Sequence, residues 1–152
     1  MPLVSAGGGL GAGYPPPGAP LENTLHGQAS CTLIHMPEAE MPIFTRTFDL
    51  LTWLLPVTNH FPRAQRFTFT SRLLDAAFDL REALEDANLR RGAARKERLQ
   101  RADEALARLR VYLRLAARWR WLSAGQYRHV ASQLAEVGRL LGGWMKVTGQ
   151  DG

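Results

Sequence analysis

The chain has 152 residues, which fits one domain, and 45% of them are hydrophobic, which is enough to form a core. It carries 19 lysines and arginines against 14 acidic residues, and none of the basic residues lies in residues 1–40. Residues 41–152 therefore have a clear basic excess, typical of proteins that bind polyanions or strongly acidic partners. The single cysteine, Cys31, excludes an internal disulfide and a cysteine-based zinc site.

The sequence shows no signal for a membrane or for secretion. No apolar run approaches the roughly 18 residues of a membrane span. The first residues lack the basic region and the long apolar region of a secretory signal. We therefore expect a cytoplasmic protein that does not bind membranes.

Residues 1–40 are rich in glycine and proline, above all GGGLGAGYPPPGAP at 7–20. Glycine has a high entropic cost of ordering, and proline interrupts helices and interior strands. Gly7, Gly9 and Ala12 fit the spacing of a dinucleotide-binding loop, but prolines follow where that loop requires a helix. The sequence predicts a disordered tail over 1–40 and a folded domain over 41–152.

The hydrophobic pattern predicts a first helix over about 45–60, with Phe48, Leu51, Leu54 and Leu55 on its apolar side. Pro56 removes one helical hydrogen bond, so a kink or an early end is expected there. A second helix is predicted over 62–91, with Pro62 at its first position, where the missing N–H has little cost. Its apolar positions are Thr70, Leu73, Ala77, Leu80, Leu84 and Ala87.

Two further helices are predicted after a short loop at Gly92. The third helix covers 95–121, and its apolar stripe is Leu99, Ala102, Leu106, Leu109, Leu113 and Ala116. The fourth opens with a capping box at Ser123 and Gln126, and Gly142-Gly143 is expected to end it or to allow close backbone approach. Its stripe is Tyr127, Val130, Leu134, Val137, Leu141 and Trp144.

Four helices with short connections predict an all-α, antiparallel up-down-up-down four-helix bundle. The chain has more large rings than one such core requires: Trp53, Phe61, Phe67, Phe69, Trp119, Trp121 and Trp144. Two interpretations remain open, a broad core-facing stripe and an interface between copies of the chain, because monomers seldom expose large apolar patches.

The sequence contains no pattern that favours catalysis. The four histidines are His26, His35, His60 and His129, and none belongs to a metal-binding helix motif or to the Glu-x-x-His pairs of di-iron bundles. Cys31 lies in the predicted tail, without a structured neighbour to activate it. We expect no enzymatic activity, no cofactor and no metal.

The arginines are the strongest functional signal. No acidic residue lies between Ala105 and Ala135, whereas six arginines do, and Arg110, Arg114 and Arg118 follow one another at helical spacing. A second cluster, which includes Arg90, Arg91 and Arg95, surrounds the loop between helices two and three. Guanidinium groups are bidentate partners for phosphate. The alternative is a solvated face with salt bridges such as Glu97–Arg101.

Four strings in register make the domain resemble a known family. They are FDLLTWLLP at 48–56, FPRAQRF at 61–67, LQRAD at 99–103 and GRLLGGWMK at 138–146. With them, residues 43–146 resemble the accessory variability determinant (Avd) of diversity-generating retroelements, a family of four-helix bundles. Proteins encoded in intervening sequences of bacterial ribosomal RNA share this fold.

The resemblance implies a basic homopentamer that binds a reverse transcriptase and nucleic acid. In that role the complex copies a template RNA into error-containing cDNA, and the accessory protein is not the polymerase. The residues expected to contact RNA, DNA or the polymerase are Arg63, Arg66, Arg90, Arg91, Arg95, Arg110, Arg114 and Arg118. Arg63 and Arg66 have a structural alternative, pairing with acids such as Asp49. The alternative function is a stand-alone basic RNA-binding or structural bundle of the intervening-sequence type.

Overall fold

A computed structural model describes residues 41–150, and over these residues the chain forms four long helices and no strand. The helices are α1 (Pro42–Thr58), α2 (Ser71–Asn88), α3 (Gly92–Arg118) and α4 (Ala124–Gln150). A 3₁₀ turn (Arg63–Gln65) and a π-helical turn (Arg66–Thr70) precede α2. The predicted tail over 1–40 lies outside the described residues.

The four helices form an antiparallel up-down-up-down bundle, as predicted. Helix α2 packs against α1 and α3, and α4 packs against α3 and α1, which closes a four-membered arrangement around one core. At one end, which we call the Trp121 end, Phe61 and Phe69 contact Trp121. At the other, the Trp144 end, Phe44 contacts Trp144. The connections at 59–70 and 119–123 lie at the Trp121 end, and the connection at 89–91 lies at the Trp144 end.

The predicted stripes of the last three helices form the core. All six stripe positions of the predicted second and third helices are buried, and so are those of the fourth except Tyr127, which is half-buried. The spacing of three and four residues keeps each set on one side of its helix, so that their burial against the neighbouring helices stabilises the bundle.

The predicted apolar side of α1 was wrong. Leu54 is buried and Leu51 half-buried, but Phe48 and Leu55 are exposed. The core-facing stripe instead includes Thr47 and Thr58, whose polarity hid it from the hydrophobic pattern. Their hydroxyls donate hydrogen bonds to the carbonyls of Ile43 and Leu55, both at 2.8 Å, which satisfies them inside the core. The expected early end is confirmed, since α1 ends two residues after Pro56.

The predicted second helix is not one regular helix. Pro62 is not its first helical residue, because its ψ of 128° is extended and the 3₁₀ turn begins at Arg63. The chain then makes a π-helical turn, in which the N–H of Ser71 donates to the carbonyl of Arg66, five residues earlier. Regular α-helix begins at Ser71 and ends at Asn88.

Helix α4 begins with the predicted capping box. The N–H of Gln126 donates to Ser123 Oγ at 3.1 Å, and the N–H of Ser123 donates to Gln126 Oε1 at 2.9 Å. The expected role of Gly142-Gly143 was wrong, since the helix continues to Gln150. A Cβ at either glycine would meet no atom within 4 Å, so neither marks a close approach. The predicted third helix is shifted, since α3 runs from Gly92, with a φ of +55°, to Arg118.

Candidate nucleic-acid and partner surface

The arginines of the described residues fall into distinct groups by what their guanidinium groups contact. Six of them form ion pairs with carboxylates, at distances of 2.5–3.8 Å. These paired arginines are Arg81, Arg90, Arg98, Arg101, Arg108 and Arg139. Their charge is locally compensated, which confirms the salt-bridged interpretation for this part of the surface, Glu97–Arg101 included.

Besides Arg46, whose charge helps to lower the pKa of Glu136, eight exposed arginines have a guanidinium group without a hydrogen bond or ion pair to any residue within 41–150. They are Arg63, Arg66, Arg72, Arg91, Arg114, Arg118, Arg120 and Arg128. All of these except Arg91 lie on the segments that meet at the Trp121 end: the turns before α2, the start of α2, the end of α3, and the start of α4. We call these seven residues the basic end. The antiparallel topology thus collects seven of these arginines at one end of the bundle, whereas Arg91, with the exposed Lys96 and Lys146, lies at the Trp144 end.

The structure separates the predicted site residues into two groups. It brings Arg63 and Arg66 to the same end as Arg114 and Arg118. Arg90, Arg91 and Arg95 lie at the Trp144 end, and the 23 residues from Arg95 to Arg118 span about 35 Å of α3. The predicted residues therefore do not form one continuous patch.

Two of the predicted residues at the Trp144 end are bound to helix ends. Arg95 Nε donates hydrogen bonds to the carbonyls of Arg90 at 2.7 Å and Ala87 at 3.2 Å, and its guanidinium lies 5.9 Å from the ring centroid of Trp144. Arg90 donates to the carbonyl of Asp86 at 3.0 Å and pairs with the carboxylate of the same residue. Both arginines thus satisfy carbonyls at the C-terminus of α2, where positive charge is favourable.

Arg110 lies in the groove between α3 and α4 rather than in the open. Its side chain is half-buried, and one guanidinium nitrogen donates to the carbonyl of Leu134 at 3.3 Å. The same nitrogen lies so close to Gly138 that it would overlap with a Cβ at that position. Arg114, one turn further along α3, is exposed on the rim of this groove beside Tyr127.

Arg63 and Arg66 do not pair with Asp49, which was the structural alternative for these two residues. Asp49 lies between α1 and α4, in a groove that Arg46 and Glu136 also line. Glu136 accepts two hydrogen bonds from Arg139, at 2.8 and 3.0 Å, which hold the pKa of its carboxyl below the ordinary value, with a further contribution from the charge of Arg46. Arg63 and Arg66 instead line a groove between α1 and α2, together with the exposed ring of Phe67.

The sequence analysis did not select Arg72, Arg120 and Arg128, which complete the basic end. Arg120 and Arg128 were visible as members of the acid-free stretch between Ala105 and Ala135. Arg72 had no such signal in the local sequence. Only the antiparallel topology places Arg72 at this end, because the start of α2 must lie beside the end of α3.

A family model described as bAvd-like matches residues 41–148. The chain belongs to the bAvd-like family. The match begins at the first described residue and includes all four helices of the bundle up to Thr148. A search of curated proteins finds no match.

A solved structure supports the fold of this bAvd-like protein. It is a protein with unknown function from the S23 ribosomal protein family of Bacteroides thetaiotaomicron, with a TM-score of 0.63 and 15% sequence identity. The similarity covers 68% of this chain and 95% of that chain. At this identity the likeness shows a shared helical fold, in agreement with the expected relation between Avd proteins and intervening-sequence proteins.

Metal-binding clusters and membrane-spanning helices are both absent from the described part of the bAvd-like chain. Over 41–150 no group of three or more histidines, cysteines or acidic residues is arranged to hold a metal ion. Within the same range no helix has both the length and the apolar character that crossing a membrane requires.

Proposed function

We propose that this chain is a non-catalytic accessory subunit of a diversity-generating retroelement, which acts in the cytoplasm and binds the element's reverse transcriptase and its template RNA or cDNA. Membership in the bAvd-like family supports the accessory role. The observation that carries the binding role is the basic end, where seven exposed arginines have no partner among the described residues.

The charge distribution supports contact with a polyanion. Lone guanidinium groups on a shared surface repel one another, and a phosphate backbone or an acidic protein surface relieves that repulsion. Elsewhere on the bundle, six arginines are paired with Asp79, Asp86, Glu85, Glu97 and Glu136. At the basic end, Asp75 lines the groove of Arg63 and Arg66 and accepts a hydrogen bond from Ser71, but it forms no ion pair with these arginines.

The experiment compares two double variants of the full chain with the same loss of charge. Arg114→Gln/Arg118→Gln removes two arginines of the basic end, and Arg101→Gln/Arg139→Gln removes two exposed but paired ones. Binding to a single-stranded RNA is measured over a series of salt concentrations. Each lost phosphate contact lowers the slope of log K against log salt by about 0.7, so we expect a slope smaller by about 1.4 for the first variant only.

Equal salt slopes for the two double variants would contradict the proposal, because the effect would then report net charge alone. The polymerase partner is tested separately, by co-purification with the reverse transcriptase of the same element. We expect Arg114→Gln/Arg118→Gln to recover less of it than the control variant. Circular dichroism of both variants should match the parent, since all four positions are exposed.

The second candidate is the stand-alone RNA-binding or structural bundle of the intervening-sequence type, which the S23-family fold favours. Both candidates use the basic end to bind RNA. They differ in whether the chain also binds a reverse transcriptase, because only the accessory subunit requires one. A neighbouring gene for a reverse transcriptase, with template and variable repeats, supports the accessory role, and a position inside a ribosomal RNA gene supports the second candidate.

We also propose that the chain forms a homo-oligomer, and specifically a pentameric ring. The bundle leaves large apolar side chains exposed between α1 and α2, where Phe67 is 87% and Phe78 41% exposed on one groove. Exposed rings that line one groove are typical of a surface that another copy covers.

A further inference from the structure

A second feature of the Trp121 end is an open aromatic pocket beside the arginines. It has a volume of about 610 Å³ and lies between the turns before α2 and the end of α3. Four rings line it, those of Phe69, Tyr112, Trp119 and Trp121, together with the polar side chains of Gln65 and Arg72. Its volume lies within the roughly 300–1,000 Å³ that is typical of ligand sites.

The rings of this pocket form an ordered cluster around Phe69. The centroid of Phe69 lies 5.6 Å from Tyr112, 5.3 Å from Trp119 and 5.2 Å from Trp121, in edge-to-face arrangements. These contacts fix the ring orientations. Trp119 nevertheless remains 48% exposed, so a large indole surface is held in place and open to solvent.

Two unusual backbone conformations position these rings. Phe69 lies in the π-helical turn, and such turns occur frequently at functional sites. Arg120, between the two tryptophans, has a φ of +61°, the left-handed conformation that a residue other than glycine adopts with strain. Arg120 lies at the turn that ends α3, so its conformation sets the positions of Trp119 and Trp121 on either side of it.

The charge around the pocket selects its ligand. Exposed rings can bind cations, but Arg72 lines this pocket, Arg118 and Arg120 flank Trp119, and no carboxylate lines it, so a cationic ligand would be repelled. A flat ligand attached to negative charge fits both features. Its planar part stacks on Trp119, and its charge lies against the guanidinium groups.

We propose that this pocket stacks an unpaired base of a single-stranded nucleic acid whose phosphates contact the basic end. Aromatic stacking accepts every base, because every base has a π-face, and it accompanies a basic track in proteins that bind single strands. The side-chain carbonyl of Gln65 accepts a hydrogen bond from Thr68 at 2.8 Å, and Gln65 lies at the rim, where its amide group can reach a base edge. This inference rests on the proposed function and specifies what the surface binds.

The test uses the full chain and two labelled 12-nucleotide probes, a single-stranded RNA of mixed sequence and an abasic ribose-phosphate strand of the same length. The parent should bind the RNA more tightly than the abasic strand. Trp119→Ala should weaken RNA binding by roughly 5- to 150-fold, the range for one lost stacking contact, without changing the affinity for the abasic strand or the salt slope. Trp119→Phe keeps a ring and should retain much of the affinity.

Phe48→Ala is the matched control, because Phe48 is 57% exposed on α1 and does not line the pocket. It should bind both probes as the parent does. If Trp119→Ala does not fold, quenching of tryptophan emission tests the stacking instead. The RNA should quench the emission of the parent more strongly than the abasic strand does. Trp119→Phe should lose most of that difference.

Three results would overturn the inference, and they separate it from the proposed function. If the parent binds both probes with equal affinity, the inferred stacking is wrong, but the proposed phosphate contacts of the basic end still stand. If the parent binds neither probe, both the inferred stacking and the proposed phosphate contacts are wrong. A Trp119→Ala variant that binds RNA normally but has a smaller mass in light scattering assigns these rings to an interface between copies of the chain.

Discussion

The guanidinium of Arg110 occupies the space that a side chain at Gly138 would fill. Arg110 extends from α3 across α4 and donates a hydrogen bond to the carbonyl of Leu134, one turn before Gly138. A Cβ at position 138 would overlap the guanidinium and would also touch Leu106 at 3.5 Å. The glycine therefore lets a charged side chain lie flat on the neighbouring helix.

This relationship predicts a coupling between the two positions. Gly138→Ala gains up to about 1 kcal/mol of helix propensity, but it displaces Arg110 from its hydrogen bond, which contributes about 1–2 kcal/mol. We expect Gly138→Ala to be neutral or destabilising in the parent and stabilising by about 1 kcal/mol in an Arg110→Ala background. Urea unfolding of the four variants measures the free energies.

Gly142→Ala is the control for this cycle, because a Cβ there meets no atom within 4 Å. It should stabilise the chain by about 1 kcal/mol in both backgrounds, without coupling to Arg110. Strict additivity of Gly138→Ala and Arg110→Ala would show that the guanidinium does not lie over Gly138 in solution.

Helical spacing predicted the buried stripes of three helices, because a stripe depends only on which side of the helix each residue occupies. The same spacing gave Arg110, Arg114 and Arg118 one common role, whereas in the structure Arg110 is half-buried and Arg114 is exposed. The difference lies in the opposing helix, which has the small Gly138 facing Arg110. Spacing within one helix carries no information about such a partner.

The aromatic pocket was not predicted for a related reason. Its rings come from the turns before α2 and from the end of α3, and the π-helical turn that places Phe69 has no signal in the hydrophobic pattern. The sequence did predict surplus rings, since seven large aromatic residues exceeded the needs of the core. Only Phe61 and Trp144 among them are buried.

Arg95 provides the second prediction, on stability. Its Nε bonds two carbonyls at the C-terminus of α2, so Arg95→Ala leaves these carbonyls without that donor and removes the contact with Trp144. We expect a loss of about 1–2 kcal/mol in the free energy of unfolding, measured in urea. Arg91→Ala, an exposed neighbour without such contacts, should change it by no more than about 0.5 kcal/mol. Similar losses for both variants would show that Arg95 has no capping role.

The third prediction concerns the oligomer. Light scattering of the full chain should give about five times 16.9 kDa at micromolar concentration. Phe67→Glu places a charge on the exposed ring of the groove between α1 and α2, and we expect it to lower that mass while the helical content remains unchanged. A parent that is monomeric under these conditions would contradict the ring, and an unchanged mass for Phe67→Glu would place the interface elsewhere.

The last prediction concerns the strained residue between the two tryptophans. The end of α3 has the hydrogen bonds of a Schellman motif: the N–H of Arg120 donates to the carbonyl of Ala117 at 3.0 Å, and the N–H of Trp121 donates to the carbonyl of Ala116 at 2.9 Å. Glycine is the usual residue at the left-handed position of this motif, and Arg120 occupies it with a φ of +61°.

Arg120→Gly should therefore raise the free energy of unfolding by about 0.5–1 kcal/mol, because glycine adopts this φ without a clash of its Cβ. Arg120→Ala removes the same charge but keeps the Cβ, and should give no such gain. Both variants should weaken RNA binding equally at low salt if Arg120 acts through its charge. Equal stabilities in urea would refute the strain at this turn, whereas weaker RNA binding by the glycine variant alone would show that the strained turn itself holds Trp119 in place for the base.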